Sequence, residues 1–168
     1  LTVPGAVDII KEVTSMVNND DILVGAGSVF DSETAFACIE AGAEFILAPT
    51  LDFETIKLCN RYKKLIIPGV MSVNEVFKAR EAGANLIKVF PASLLGVEFV
   101  RTIKNHLPQM SLLPTGGVTL DNVNKWLKVG SFGVGVGSSL TAGIGQGDYD
   151  KITNTARKFI TKIKETEK

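Results

Sequence analysis

Glu81-Ala82-Gly83-Ala84-Asn85-Leu86-Ile87-Lys88-Val89-Phe90-Pro91 echoes an earlier stretch of the same chain, Glu40-Ala41-Gly42-Ala43-Glu44-Phe45-Ile46-Leu47-Ala48-Pro49. In each copy a helix-like segment stops at a glycine, the residue that most readily closes a helix C-terminus. An apolar run of strand length follows, and a proline ends it. The runs show no polar alternation, so these strands are expected to be buried on both faces, in a parallel sheet covered by helices.

Working outward, the same unit recurs. Apolar runs centre on Val24, Ile46, Ile66, Lys88, Leu113 and Val134, separated by roughly 20 to 25 residues, a spacing that suits a strand followed by a helix. Between and beside them lie helix-like segments: Gly5 to Val17 after Pro4, Asp31 to Ala41, Asp52 to Tyr62, Ser72 to Ala82, Val97 to His106, Leu120 to Val129 and Asp150 to Ile163. Six such units favour a closed (β/α)8 TIM barrel over an open sheet. A flavodoxin-like sheet is the alternative, although that fold normally has about five strands. An eight-unit barrel usually needs about 200 residues or more. The expectation is therefore a single domain over residues 1–168, an N-terminally incomplete barrel lacking its first strand, first helix and most of its second strand. The chain also opens without an initiator Met, at Leu1-Thr2-Val3-Pro4, which points to a start further upstream.

Composition narrows the function. The chain has 168 residues, 45% of them hydrophobic, with Lys plus Arg and Asp plus Glu at 18 each. A zero formal net charge argues against a nucleic-acid or anionic-membrane surface as the main partner. No apolar run reaches membrane-spanning length and no signal-peptide pattern opens the chain. Cys38 and Cys59 lie in apolar helical patterns without metal-ligand spacing, as buried free thiols of a reducing cytoplasm would. His106 is the only histidine and sits among polar residues at a helix end, so a surface position is expected. No second histidine or carboxylate cluster accompanies it, and neither a metal nor a cofactor is expected. Gly25-Ala26-Gly27 resembles only part of a dinucleotide fingerprint. Trp126 reads as core.

Chemistry is expected at strand C-termini, where barrel enzymes build their sites. Lys88 is the conspicuous residue. An ammonium in an apolar strand costs several kcal/mol unless it is paired or neutral, and a neutral amine attacks carbonyls. The competing reading is a lysine at a sheet edge, or one whose stem is buried while its head reaches water. Ser28, Pro49, Pro68, Thr115, Gly116, Gly117, Gly137 and Ser138 lie at the corresponding ends of other strands. Thr115-Gly116-Gly117 and Gly135-Val136-Gly137-Ser138 offer bare backbone N–H groups where such barrels often hold a phosphate, although tight turns alone would use glycine too.

These motifs together, Val24-Gly25-Ala26-Gly27-Ser28-Val29, Pro68-Gly69-Val70, Lys88-Val89-Phe90-Pro91-Ala92, Pro114-Thr115-Gly116-Gly117-Val118 and Gly137-Ser138-Ser139-Leu140, occur in the order and spacing of one family. The chain resembles, over essentially its whole length, the class I aldolases that cleave 2-keto-3-deoxy-6-phosphogluconate, often bifunctional with 4-hydroxy-2-oxoglutarate. The resemblance implies a cytoplasmic homotrimer of barrels with no cofactor, acting on a keto-acid sugar phosphate and releasing pyruvate. It implies Lys88 as the Schiff-base lysine, Ser28 as the pyruvate-binding hydroxyl, and Thr115, Gly116, Gly117, Gly137 and Ser138 at the phosphorylated end of the substrate. Pro49 completes the substrate-binding set. Thr2 stands where many members carry a carboxylate-binding arginine. The family's general base is a glutamate that would precede Leu1. Competing functions are the same reaction on the 6-phosphogalactonate epimer, a phosphate-binding barrel isomerase or epimerase, and a non-catalytic sugar-phosphate-binding barrel.

Overall fold

The computed structural model describes residues 1–17, 22–143, 145 and 147–166. The chain divides into two compact units, Leu1–Lys88 and Val89–Lys168.

The first unit contains α1 (Ala6–Met16), β1 (Gly25–Gly27), α2 (Ser32–Glu40), β2 (Phe45–Leu47), α3 (Phe53–Arg61), β3 (Leu65–Ile67), β4 (Gly69–Val70), α4 (Val73–Glu81) and the start of β5 (Ile87–Val89). β1, β2 and β3 form a parallel sheet in that order, with Gly25 opposite Phe45 and Phe45 opposite Leu65. The middle residues Ala26, Ile46 and Ile66 are at most 2% exposed, as expected for strands covered on both faces. Val29, Ala35, Cys38, Ile56 and Cys59 complete the core between sheet and helices.

Three helices start where the sequence places an N-cap. Asp31 accepts the Thr34 N–H and Asp52 accepts the Thr55 N–H, each at 2.7 Å, while Ser72 and Glu75 form a reciprocal capping box. Caps of this kind contribute about 1 kcal/mol each. Pro68 interrupts the apolar run from Leu65 to Val70 because it has no N–H to give to the ladder. Its carbonyl still accepts the Lys88 N–H at 2.9 Å.

In the second unit, the end of β5 leads into α5 (Ala92–His106), β6 (Leu112–Pro114), α6 (Val123–Lys128), α7 (Ser138–Thr141) and α8 (Tyr149–Thr166). Val100, Ile103, Leu112, Val123, Trp126 and Phe159 are among its buried apolar residues. α8 packs on α6.

Four elements differ from the sequence expectations. α5 begins at Ala92 rather than near Val97, and Gly96, at φ 75° and ψ 166°, separates its first turn from the rest. That turn is held by the Ala92 and Ser93 N–H groups, which donate to Thr115 O and Gly116 O at 2.8 and 2.9 Å. α6 starts three residues later than expected, because the Asn122 side chain bonds into the preceding loop. The expected strand from Phe132 to Ser139 is reduced to a single parallel bridge between Thr115 and Gly135. Glycines at 133, 135 and 137 leave one face of that run without side chains to pack, and Phe132 is 71% exposed. The first expected strand is likewise laddered only from Gly25, with Ile22 and Leu23 more than half exposed. Among the described residues, no helix is long and apolar enough to cross a membrane.

Candidate active site

Lys88 is 6% exposed, flanked by Ile87 at 1% and Val89 at 0%. The strand that carries it is buried on both faces, so the backbone places the lysine in the interior. Burial pushes the Lys88 ammonium below the usual lysine value, because the charged form loses its hydration. The structure thus removes the edge-lysine alternative.

Ser28 follows β1 directly and takes φ 60°, a left-handed conformation that non-glycine residues seldom adopt. The next residue rejoins the ladder, with the Val29 N–H donating to Leu47 O at 3.4 Å. The strained residue therefore sits at the strand terminus, where such strain often accompanies function. The amino group of Leu1 donates to Gly27 O, and Thr2 is exposed. Pro49 lies two residues beyond β2, against Gly69: a Cβ on Gly69 would lie 2.2 Å from Pro49 O. Only glycine permits that approach, so the glycine after Pro68 serves the packing of two strand ends.

The second unit assembles the glycine loops. Gly116 and Gly117 both have positive φ, 87° and 83°. The carbonyls of four consecutive residues each accept one hydrogen bond: Thr115 O from Ala92 N–H at 2.8 Å, Gly116 O from Ser93 N–H at 2.9 Å, Gly117 O from Asn122 Nδ2 at 2.9 Å and Val118 O from Ser139 Oγ at 2.6 Å. Among the described residues, the N–H groups of Gly116 and Gly117 meet no acceptor. Two successive amides left without acceptors in this way are donors suited to an anion.

Thr115 is tied into the backbone around it. Its N–H donates to Val89 O at 3.0 Å, its hydroxyl donates to Leu113 O at 3.2 Å, and its side chain lies against Gly135. The Gly135 N–H is also taken, donating to Pro114 O at 2.8 Å. Gly137 and Ser138 are exposed just before and at the start of α7. His106 is exposed at the end of α5 and Trp126 is 3% exposed, as expected. Among the described residues, no group of three His, Cys, Asp or Glu side chains could hold a metal ion.

Sequence reasoning gave no role to Ser93, Asn122 or Ser139, which shape the glycine loop. A signal was present for Asn122: asparagine three residues after Thr119, at a helix start, is a frequent side-chain-to-backbone bonding position.

Parallel strands alternating with helices define an α/β protein, and the strand β5 carries the buried Lys88. A family model described as KDPG and KHG aldolase matches residues 1–155, and the chain belongs to that family. The 2-dehydro-3-deoxy-6-phosphogalactonate aldolase of Escherichia coli K12 is 35% identical over 122 residues, which cover 72% of this chain and 60% of that protein. A solved native KDPGal structure superposes with TM-score 0.89 at 30% identity, covering 97% of this chain and 78% of the other. KDPG aldolase from Legionella pneumophila, solved with pyruvate captured as a covalent carbinolamine intermediate, gives TM-score 0.79 at 28% identity, covering 96% of this chain and 75% of the other.

Proposed function

We propose that the protein is a class I aldolase that cleaves 2-keto-3-deoxy-6-phosphogluconate to pyruvate and glyceraldehyde 3-phosphate, and that Lys88 forms the Schiff base. The burial of Lys88 within an apolar strand carries this reading. The capture of pyruvate as a carbinolamine in the Legionella relative supports it.

In this mechanism the neutral Lys88 amine adds to the 2-keto carbon, and loss of water gives an iminium. The iminium draws electrons as the C3–C4 bond breaks, and the 4-hydroxyl proton passes to a general base. Such a base typically contributes about 10²–10⁴-fold. Glyceraldehyde 3-phosphate leaves, the enamine takes a proton at C3, and water releases pyruvate and the free amine. Ser28 would hold the pyruvate half, together with Thr2 and Pro49. Gly116, Gly117, Gly137 and Ser138, on loops braced by Thr115, would hold the phosphate. The (β/α)8 barrel, a single domain, homotrimeric assembly, a cytoplasmic setting and cleavage of 4-hydroxy-2-oxoglutarate belong to the same reading.

A second substrate reading has its own support. The native KDPGal structure is 30% identical to this chain, against 28% for the Legionella phosphogluconate enzyme. The test is to offer the protein both epimers and follow pyruvate release. Release from either one, abolished by Lys88→Ala, supports the aldolase, and the faster epimer names the substrate. No release from either would sink the proposal.

A further inference from the structure

The loop Thr115–Val118 turns all four of its carbonyls toward donors, and two of those donors are side chains, Asn122 and Ser139. Asn122 is used at both ends of its amide. Its Nδ2 donates to Gly117 O and its Oδ1 accepts the Thr119 N–H, both at 2.9 Å. It therefore spans the loop from residue 117 to residue 119. Ser139, one residue beyond Ser138, donates its hydroxyl to Val118 O at 2.6 Å. That bond ties the second glycine loop to the first.

A peptide plane has one orientation: fixing the carbonyl of residue i fixes the N–H of residue i+1 on the opposite side. Ala92 N–H on Thr115 O thus sets the Gly116 amide, and Ser93 N–H on Gly116 O sets the Gly117 amide. Asn122 and Ser139 fix the following two planes, so the positive-φ pair cannot relax by rotating the Gly117–Val118 or Val118–Thr119 peptide. Gly117 is thus held from both sides, by Ser93 on the plane before it and by Asn122 on the plane after it, and without the two side chains the C-terminal side of this glycine would be free to rotate. Gly117 is also hemmed on its other side, since a Cβ there would lie 2.5 Å from Ser93 Cβ.

We infer that Asn122 and Ser139 are positioning residues that preorganise the Gly116 and Gly117 amides to bind a phosphate dianion. Neither side chain contacts the anion; each acts through the carbonyl it holds. The inference rests on the aldolase reading for its substrate, but the phosphate site can be probed without turnover. An anion bound by preorganised amides loses affinity when the loop must be ordered on binding.

The test titrates inorganic phosphate into the ¹⁵N-labelled protein and follows the Gly116 and Gly117 amides. Asn122→Ala and Ser139→Ala should each weaken phosphate binding roughly fivefold or more, as expected for one lost hydrogen bond of about 1 kcal/mol. Ser139→Thr, which keeps the hydroxyl, should restore it. Borohydride trapping of pyruvate on Lys88 should stay at the wild-type level in all three variants, and so should the melting temperature within a few degrees. Wild-type phosphate affinity in Asn122→Ala overturns the inference, as does a wild-type protein whose two glycine amides do not respond to phosphate. Parallel loss of phosphate binding and pyruvate trapping also overturns it, by showing a general structural role. Failure of trapping in the wild-type protein alone would instead count against the aldolase reading and leave the phosphate result to decide this one.

Discussion

Lys88 donates its backbone N–H to the carbonyl of Pro68 at 2.9 Å. The proline that breaks one strand thereby supplies the acceptor that fixes the register of the next. Because Pro68 is buried and conformationally stiff, the lysine inherits a rigid backbone anchor. For the proposed nucleophile, a fixed backbone lowers the ordering that substrate binding would otherwise require.

The depressed Lys88 pKa has a definite consequence for stability. The folded chain binds fewer protons than the unfolded chain between the lowered value and the usual 10.5, so stability rises with pH through that window. Below it the cost of burying the ammonium is present in full. Lys88→Met should therefore be more stable than wild type at pH 7, by about 1 kcal/mol, and the gap should shrink as the pH approaches 10. Urea unfolding of both proteins across pH 6 to 10 checks this; a gap that widens with pH would contradict it.

Ser28 carries backbone strain of about 1–2 kcal/mol at φ 60°, more than the roughly 0.5–1 kcal/mol that glycine's added freedom costs. Ser28→Gly should thus unfold at slightly higher urea concentration than wild type. If the hydroxyl also holds pyruvate, the same variant should form the borohydride adduct about threefold to tenfold more slowly. A less stable variant with unchanged trapping would show that the position serves the fold alone.

Gly69→Ala should destabilise the protein by about 2–4 kcal/mol, because the new Cβ would meet backbone at Pro49 that cannot step aside. Gly27→Ala, where no atom lies within 4 Å of the added carbon, is the matched control and should change stability little. Thermal melts of the two variants separate the effects. Equal losses would mean that the close approach of Gly69 to Pro49 is not the cause.

Both thiols should be silent in the native state. Burial raises Cys38 above its usual range and pushes Cys59 up to about 11. Because the thiolate is the reactive form, iodoacetamide at pH 8 should label neither cysteine in the folded protein and both in urea. Rapid native labelling of Cys59 would contradict the packing of α2 against α3.

How much of this could be read from the sequence depended on scale. The repeat around Gly42 and Gly83 located strands and helices because helix stops and apolar runs are local signals. The N-caps Asp31, Asp52 and Ser72 were legible for the same reason. The run Phe132–Ser139 misled because its alternating glycines mimic a strand in hydropathy while offering too few side chains to pack as one. Lys88 stood out because a charge inside an apolar run is conspicuous. Asn122 and Ser139 did not, because their partners are backbone carbonyls that only the folded loop brings within reach. The division of labour at Thr115, whose polar groups are turned into the ladder, was hidden for the same reason.

The central claim is that Lys88 is the carbonyl-reactive amine. Incubating the protein with pyruvate and borohydride, then mapping the modified peptide by mass spectrometry, tests it most directly. The expected result is a single reduced pyruvate adduct on the peptide containing Lys88, lost in Lys88→Met. An unmodified Lys88 peptide, or an adduct that survives the substitution on another lysine, would contradict it.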